Sequence, residues 1–154
     1  HTPILEFANQ GPLLKLKKGK CRFAITGNVA FNIWRDGGIV EGIPNRSYLL
    51  NEGDALDILS TIKSNYGYLA VEGGFVVTQH YGCSSTLIQP QIGPNEGHKI
   101  SDRQLLYFHR DGSKINSSLN YKSFTQIVVL GSASFVPPTA PPIVELDEHG
   151  RAKT

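Results

Sequence analysis

The stretch GYLAVEGGFVVTQHYGCSST, Gly67 to Thr86, begins as a strand, breaks on two adjacent glycines, resumes as Phe75-Val76-Val77, and ends in small hydroxyl and thiol residues. A glycine pair inside an apolar run lets the backbone adopt positive φ or approach a neighbour where a Cβ would clash. In an all-β protein that predicts a bulge or corner, and it turns the following loop outward as a rim. Gly73 and Gly74 are therefore read as the structural loop, with Gly82 and Gly97 marking later corners.

Working outward, the same grammar recurs. PLLKLKKGK alternates Leu14 and Leu16 with Lys15 and Lys17, the two-residue period of a half-buried strand. CRFAITGN places Phe23 and Ile25 on one face and stops at Gly27-Asn28. VAFNIWRDGGIV holds a hairpin-type turn at Asp36-Gly37-Gly38, and SYLLNEGDALDILS turns at Gly53-Asp54 before Leu56 and Ile58. STLIQPQIG, RQLLYFH and TQIVVLGSASF read as further strands. No window carries a helical stripe, and 16 glycines with 9 prolines fit many turns. The expectation is an all-β barrel or sandwich with at most one or two short helices, one of them around Gln79 to Ser84. The compact domain is expected over residues 4–135. Pro137, Pro138, Pro141 and Pro142 make residues 136–154 a stiff linker and tail.

At 154 residues the chain is the size of one domain and needs no disulfide or metal to fold. A net charge of +2 gives no reason to expect nucleic acid or an anionic membrane as partner. No apolar run approaches the roughly 20 residues of a membrane helix. Cys21 and Cys83 lack metal-type spacing and are expected to be two buried free thiols. Lys15, Lys17, Lys18 and Lys20 are expected to be one solvated strand face. With no Met and a start at His1, the chain reads as processed or trimmed. A tag remnant explains His1 more simply than a terminal copper site. His98 and His109 are expected on loops or strand ends, and no metal site is expected.

His80, Cys83, Ser84, Ser85 and Thr86 offer donors and a possible nucleophile. Taken singly, each is more often a turn or capping residue. Neither a Gly-x-Ser-x-Gly elbow nor a phosphate loop with a Lys-Ser/Thr ending is present.

YLAVEGGF from Tyr68, followed by YGCSSTLIQPQIGPNEGH from Tyr81, resembles the allophanate hydrolase subunit 2 group, also known as the KipA or biotin-dependent carboxyltransferase-like family, which includes 5-oxoprolinase components. Upstream, ILEFANQGPLLKL, FAITGN and NEGDALDI are similar to that family's Leu-Glu…Gly-Pro, Thr-Gly and Gly-Asp elements. The ordered resemblance spans residues 4–108. It implies a cyclophilin-like, closed or partly closed β-barrel, and specifically the first of two barrels. An upstream segment and the second barrel would then lie outside this chain.

The resemblance implies a cytoplasmic carboxyltransferase or amidohydrolase subunit working beside a homologous subunit 1-type protein on a small amide, urea or allophanate or 5-oxoproline. Whether the chain is itself an enzyme stays open, and alone it is expected to be inactive. No cofactor is expected on it, with ATP or carboxybiotin entering through the complete complex. The alternative is a non-catalytic regulatory module that captures a partner protein, of the kinase-inhibitor antagonist type. Thr26, Asn28, Ser85 and Thr86 match the polar lip of the family and are the substrate-binding candidates, while catalytic residues are unassigned. Cys83 and Ser84 depart from the Gly-Ser-x-Ser-Thr element, and His98 stands where an Arg usually follows Gly97. Those departures remove forked guanidinium donors suited to carboxylate or phosphate.

Overall fold

The computed structural model describes residues 2–87, 91–109 and 124–132. The tail at 136–154, the end of the expected domain at Phe135 and the middle of STLIQPQIG lie outside them. Ten strands follow one another: β1 Leu5–Ala8, β2 Pro12–Lys18, β3 Lys20–Thr26, β4 Val29–Arg35, β5 Gly38–Gly42, β6 Ser47–Asn51, β7 Ala55–Thr61, β8 Tyr66–Val71, β9 Leu105–His109 and β10 Phe124–Ser132. They form a four-stranded sheet, β1-β8-β3-β6, and a six-stranded sheet, β5-β4-β7-β2-β10-β9, antiparallel throughout. The architecture is all-β, as the strand pattern implied, and a partly closed barrel, as the family resemblance implied.

Alternation decides which side chains meet inside. Leu14 and Leu16 of β2, Phe23 and Ile25 of β3, Phe31 and Ile33 of β4, and Leu56 and Ile58 of β7 are each at most 2% exposed. Lys15, Lys17, Lys18 and Lys20 are all exposed, but they do not form the one strand face expected, because Lys15, Lys17 and Lys18 belong to β2 and Lys20 to β3 of the other sheet. Phe23, Phe31 and Tyr48 join the two sheets, with ring centroids 5.8–6.1 Å apart and edge-on or stacked geometry. Burial of a Phe or Leu side chain contributes about 1.5–3 kcal/mol, so this aromatic seam is a main source of stability.

The Asp36-Gly37 turn joins β4 to β5, with φ of 49° and 74° at its centre. Positive φ at both positions is the mark of a type I′ hairpin, whose twist suits antiparallel strands. The next turn, at Gly53, carries a feature the pattern did not announce. Asp54 is buried and receives the Arg35 guanidinium, with Nε and Nη2 each 2.9 Å from Oδ2. Asp54 Oδ2 also accepts the Asn51 amide at 2.9 Å, and Arg35 Nη2 donates to the Leu49 carbonyl. Arg35 belongs to the six-stranded sheet and Leu49 to the four-stranded one, so one cation ties the sheets together.

On the outer face of the six-stranded sheet, Asp57 pairs in register with Asn32 and Leu13 and accepts a hydrogen bond from Trp34. Partial burial pushes its carboxyl up, with the Trp34 bond opposing. At the sheet margin, β5 pairs only with β4 among the described residues, and Ile39 and Val40 are nearly half exposed. Among the described residues no helix is long and apolar enough to cross a membrane.

Candidate functional site

The opening stretch resolves into three pieces. Tyr66–Val71 is β8, and the Gly74 amide donates to the Val71 carbonyl at 3.0 Å, closing a tight turn through Glu72 and Gly73. Gly73 has φ of 80°, as the third position of a type II turn demands. Phe75 is then buried and bridges Phe108, and the Val76 amide donates to the Tyr107 carbonyl at 2.8 Å. The chain therefore crosses from the end of β8 to β9, at the margin of the other sheet. The expected second strand at Phe75-Val76-Val77 is this single bridge.

The helix expected around Gln79 to Ser84 is not formed. His80 and Cys83 instead exchange both backbone hydrogen bonds at 2.9 Å, making a two-residue hairpin. Tyr81 and Gly82, with φ of 52° and 72°, supply its type I′ turn. Without a helical apolar stripe, nothing rewards helix here, and the Tyr-Gly pair supplies the hairpin geometry. Cys83 is exposed, which corrects the expectation of two buried thiols; Cys21 alone is buried, and its burial pushes the thiol up to about 12. Ser85 does the opposite to Cys83. Its hydroxyl and its amide, the latter 3.4 Å from Sγ, hold that thiol below its ordinary value.

STLIQPQIG likewise forms no regular strand among its described residues. Leu87 and Ile92 make one isolated bridge, and the chain then enters a short 3-10 turn, Pro94–Gly97. Asn95 and Glu96 within it hold left-handed φ of 58° and 55°. Asn95 stabilises that unusual backbone by donating from Nδ2 to the His98 and Lys99 carbonyls at 3.2 and 3.0 Å. Gln104 Nε2 donates to Asn95 Oδ1 at 2.8 Å, and Gln104 Oε1 accepts the Ser101 amide at 3.0 Å. Gly97 fits only because it lacks a Cβ, which would stand 2.2–2.7 Å from the Gln91 backbone. A Cβ on Gly93 would stand 2.4 Å from the Ser85 carbonyl oxygen.

These contacts shape an open cleft of about 800 Å³ lined by Thr78, His80, Gly93, Asn95, Glu96, His98, Lys99 and Ser101. Gln91 Nε2 lies 3.4 Å from His98 Nε2, so His98 is already engaged. The side chains of Lys99, Glu96 and His80 make no hydrogen bond or ion pair among the described residues. No group of His, Cys, Asp and Glu among those residues could hold a metal ion.

Of the four substrate-binding candidates, Ser85 and Thr86 are exposed beside this cleft, with Thr86 Oγ1 donating to the Pro94 carbonyl at 3.4 Å. Thr26 and Asn28 are also exposed but stand elsewhere. Thr26 pairs with Tyr68 near the start of β8, whereas the Ser85 loop leaves from Val71 at its end. No hydrogen bond joins the two pairs among the described residues. All four loop glycines have φ between 72° and 80°. Sequence reasoning did not single out Thr78, Glu96 or Lys99. The only signal for them was polar composition within a glycine-punctuated loop.

A partly closed β-barrel whose loop margin offers a small polar cleft is the class of domain these features define. The family described as "Carboxyltransferase domain, subdomain A and B" matches residues 1–142, and the chain belongs to it. Among solved structures, Kluyveromyces lactis urea carboxylase is similar at 22% identity over 75% of this chain and 10% of that one, with a TM-score of 0.66. The K. lactis urea amidolyase is similar at 21% identity over 91% of this chain and 8% of that one, also at 0.66. The protein TTHA0988 is similar at 32% identity over 60% of this chain and 34% of that one, at 0.50. This chain thus spans a tenth or less of the two K. lactis proteins and about a third of TTHA0988. No curated protein is matched.

Proposed function

We propose that this chain serves as part of a carboxyltransferase or amidohydrolase subunit, working with a homologous subunit 1-type protein on a small amide, urea or allophanate or 5-oxoproline. The observation that carries the reading is the family match over residues 1–142. The K. lactis neighbours, a urea carboxylase and a urea amidolyase, suggest the substrate class. The cleft suits it chemically, since a planar amide offers N–H donors to Glu96 and acceptors to Lys99 and His80.

No phosphate-binding glycine loop occurs in the sequence, and ATP would enter through the complete complex. Carboxybiotin, where used, would supply the carboxyl group. Lys99 and His80 are the residues here with donors for that group, and their part is to orient it.

The test is reconstitution. The chain is mixed with a subunit 1-type partner and assayed for turnover of urea and of 5-oxoproline, each with and without ATP. ATP-dependent turnover by the mixture, with none from the 154-residue chain alone, is the expected result. Stable binding to the partner without turnover would instead favour the regulatory alternative, and turnover by the chain alone would sink the proposal.

A further inference from the structure

The departures at Cys83, Ser84 and His98 argue against a guanidinium-built anion site, yet the folded loop assembles a different set of donors. Lys99 follows the 3-10 turn, His80 begins the hairpin, and Thr78 precedes it; all three line one cleft. None of their side chains has a hydrogen-bond or ion-pair partner among the described residues. The other polar walls are committed elsewhere. Asn95 and Gln104 hold each other and the backbone, the Ser101 hydroxyl donates to Gln104 Oε1 at 3.4 Å, and His98 is met by Gln91.

We infer that this cleft is a binding site for a small, singly charged carboxylate-type oxyanion, held by Lys99 Nζ with the His80 ring and the Thr78 hydroxyl as flanking donors. This deepens the carboxyltransferase reading by naming where a carboxylate rests, and it depends on that reading only for its biological use. Charge sets the ligand class. Lys99 brings the positive charge that attracts an anion, and Glu96 in the same cleft limits how much negative charge it takes, so a monoanion suits it better than a dianion such as hydrogen phosphate. Donor type agrees, because a point charge with two single donors suits a carboxylate, whereas phosphate sites favour forked guanidinium or clustered backbone amides. Cys83 stands opposite His80 across the hairpin and lies outside the donor set.

The experiment titrates the 154-residue chain at about pH 8, where inorganic phosphate is mostly a dianion, separately with sodium acetate, bicarbonate, inorganic phosphate and chloride at constant ionic strength, following the His80 and His98 ring resonances by NMR. Acetate and bicarbonate are expected to give saturable shifts, and phosphate and chloride none. Lys99→Gln should weaken acetate binding about tenfold, the loss of one charge-assisted contact. Lys18→Gln, the same charge change on an exposed strand face, should leave it within about twofold. Both positions are exposed, and an unchanged amide spectrum shows that each variant is folded. Equal shifts with chloride, or acetate binding that ignores Lys99→Gln, overturn the inference. Turnover in the reconstituted complex is a separate readout, so a chain that binds no acetate or bicarbonate while the complex still turns over rejects this site and leaves the carboxyltransferase reading standing.

Discussion

Cys83 and Cys21 are the same side chain in opposite surroundings. Cys21 faces the core among Phe23 and Leu50, where a thiolate finds no solvation, and its thiol is pushed up to about 12. Cys83 is exposed and its sulfur receives hydrogen bonds from Ser85, which favour the thiolate. Iodoacetamide should therefore modify Cys83 alone in the native chain, as peptide mass mapping will show. Its rate-versus-pH midpoint should lie below that of a free cysteine and move upward in Ser85→Ala. Equal labelling of Cys21 would contradict this account. Asp57 is a second case. Burial raises its carboxyl pKa in the folded state, so the fold favours the protonated form. That contribution is complete at acid pH, below about 4, and is lost as pH rises through the elevated folded value. Asp57→Asn keeps an acceptor for Trp34 and removes the charge. It should raise the melting temperature at pH 7, with the gain shrinking towards pH 3 in a calorimetric series.

At the level of elements, the loop between β8 and β9 is fixed by close backbone approach as well as by hydrogen bonds. Gly97→Ala sets a Cβ against the Gln91 backbone at a φ of 74° and should cost about 2–3 kcal/mol in urea denaturation. Gly82→Ala shares the positive φ but meets nothing within 4 Å, so about 1 kcal/mol is expected. Equal costs would mean that crowding at Gly97 relaxes freely. The contrast also explains what could be read beforehand. β2, β3, β4 and β7 were legible because each buries one face, and a two-residue period records that burial directly. Residues 75–87 and 91–104 were not, because their path depends on partners distant in sequence, such as Phe108 for Phe75 and Gln104 for Asn95. Tyr81, Gln91, Asn95 and Glu96 are left-handed without being glycines, so their own side chains do not announce the positive φ. Lys99 and Glu96 were invisible for the same reason. The glycine corners were legible, but not the cleft they build.

For the molecule as a whole, β5 has one edge without a strand partner among the described residues, at one margin of the six-stranded sheet beside exposed Ile39 and Val40. Such a margin recruits further strands. Val40→Lys should lower self-association at high concentration, measured by light scattering, with the native melting temperature nearly unchanged. No change in scattering would show that the margin is already protected. The bond from Arg35 to Asp54 acts at the opposite extreme of accessibility. Sliding β4 by one position would carry the guanidinium to the outer face and leave the buried Asp54 carboxylate without its cation, a loss on the order of several kcal/mol. The pair thus works as a proofreader during folding: mispaired arrangements of the sheets are rejected by one stranded charge before side-chain fit is ever tested.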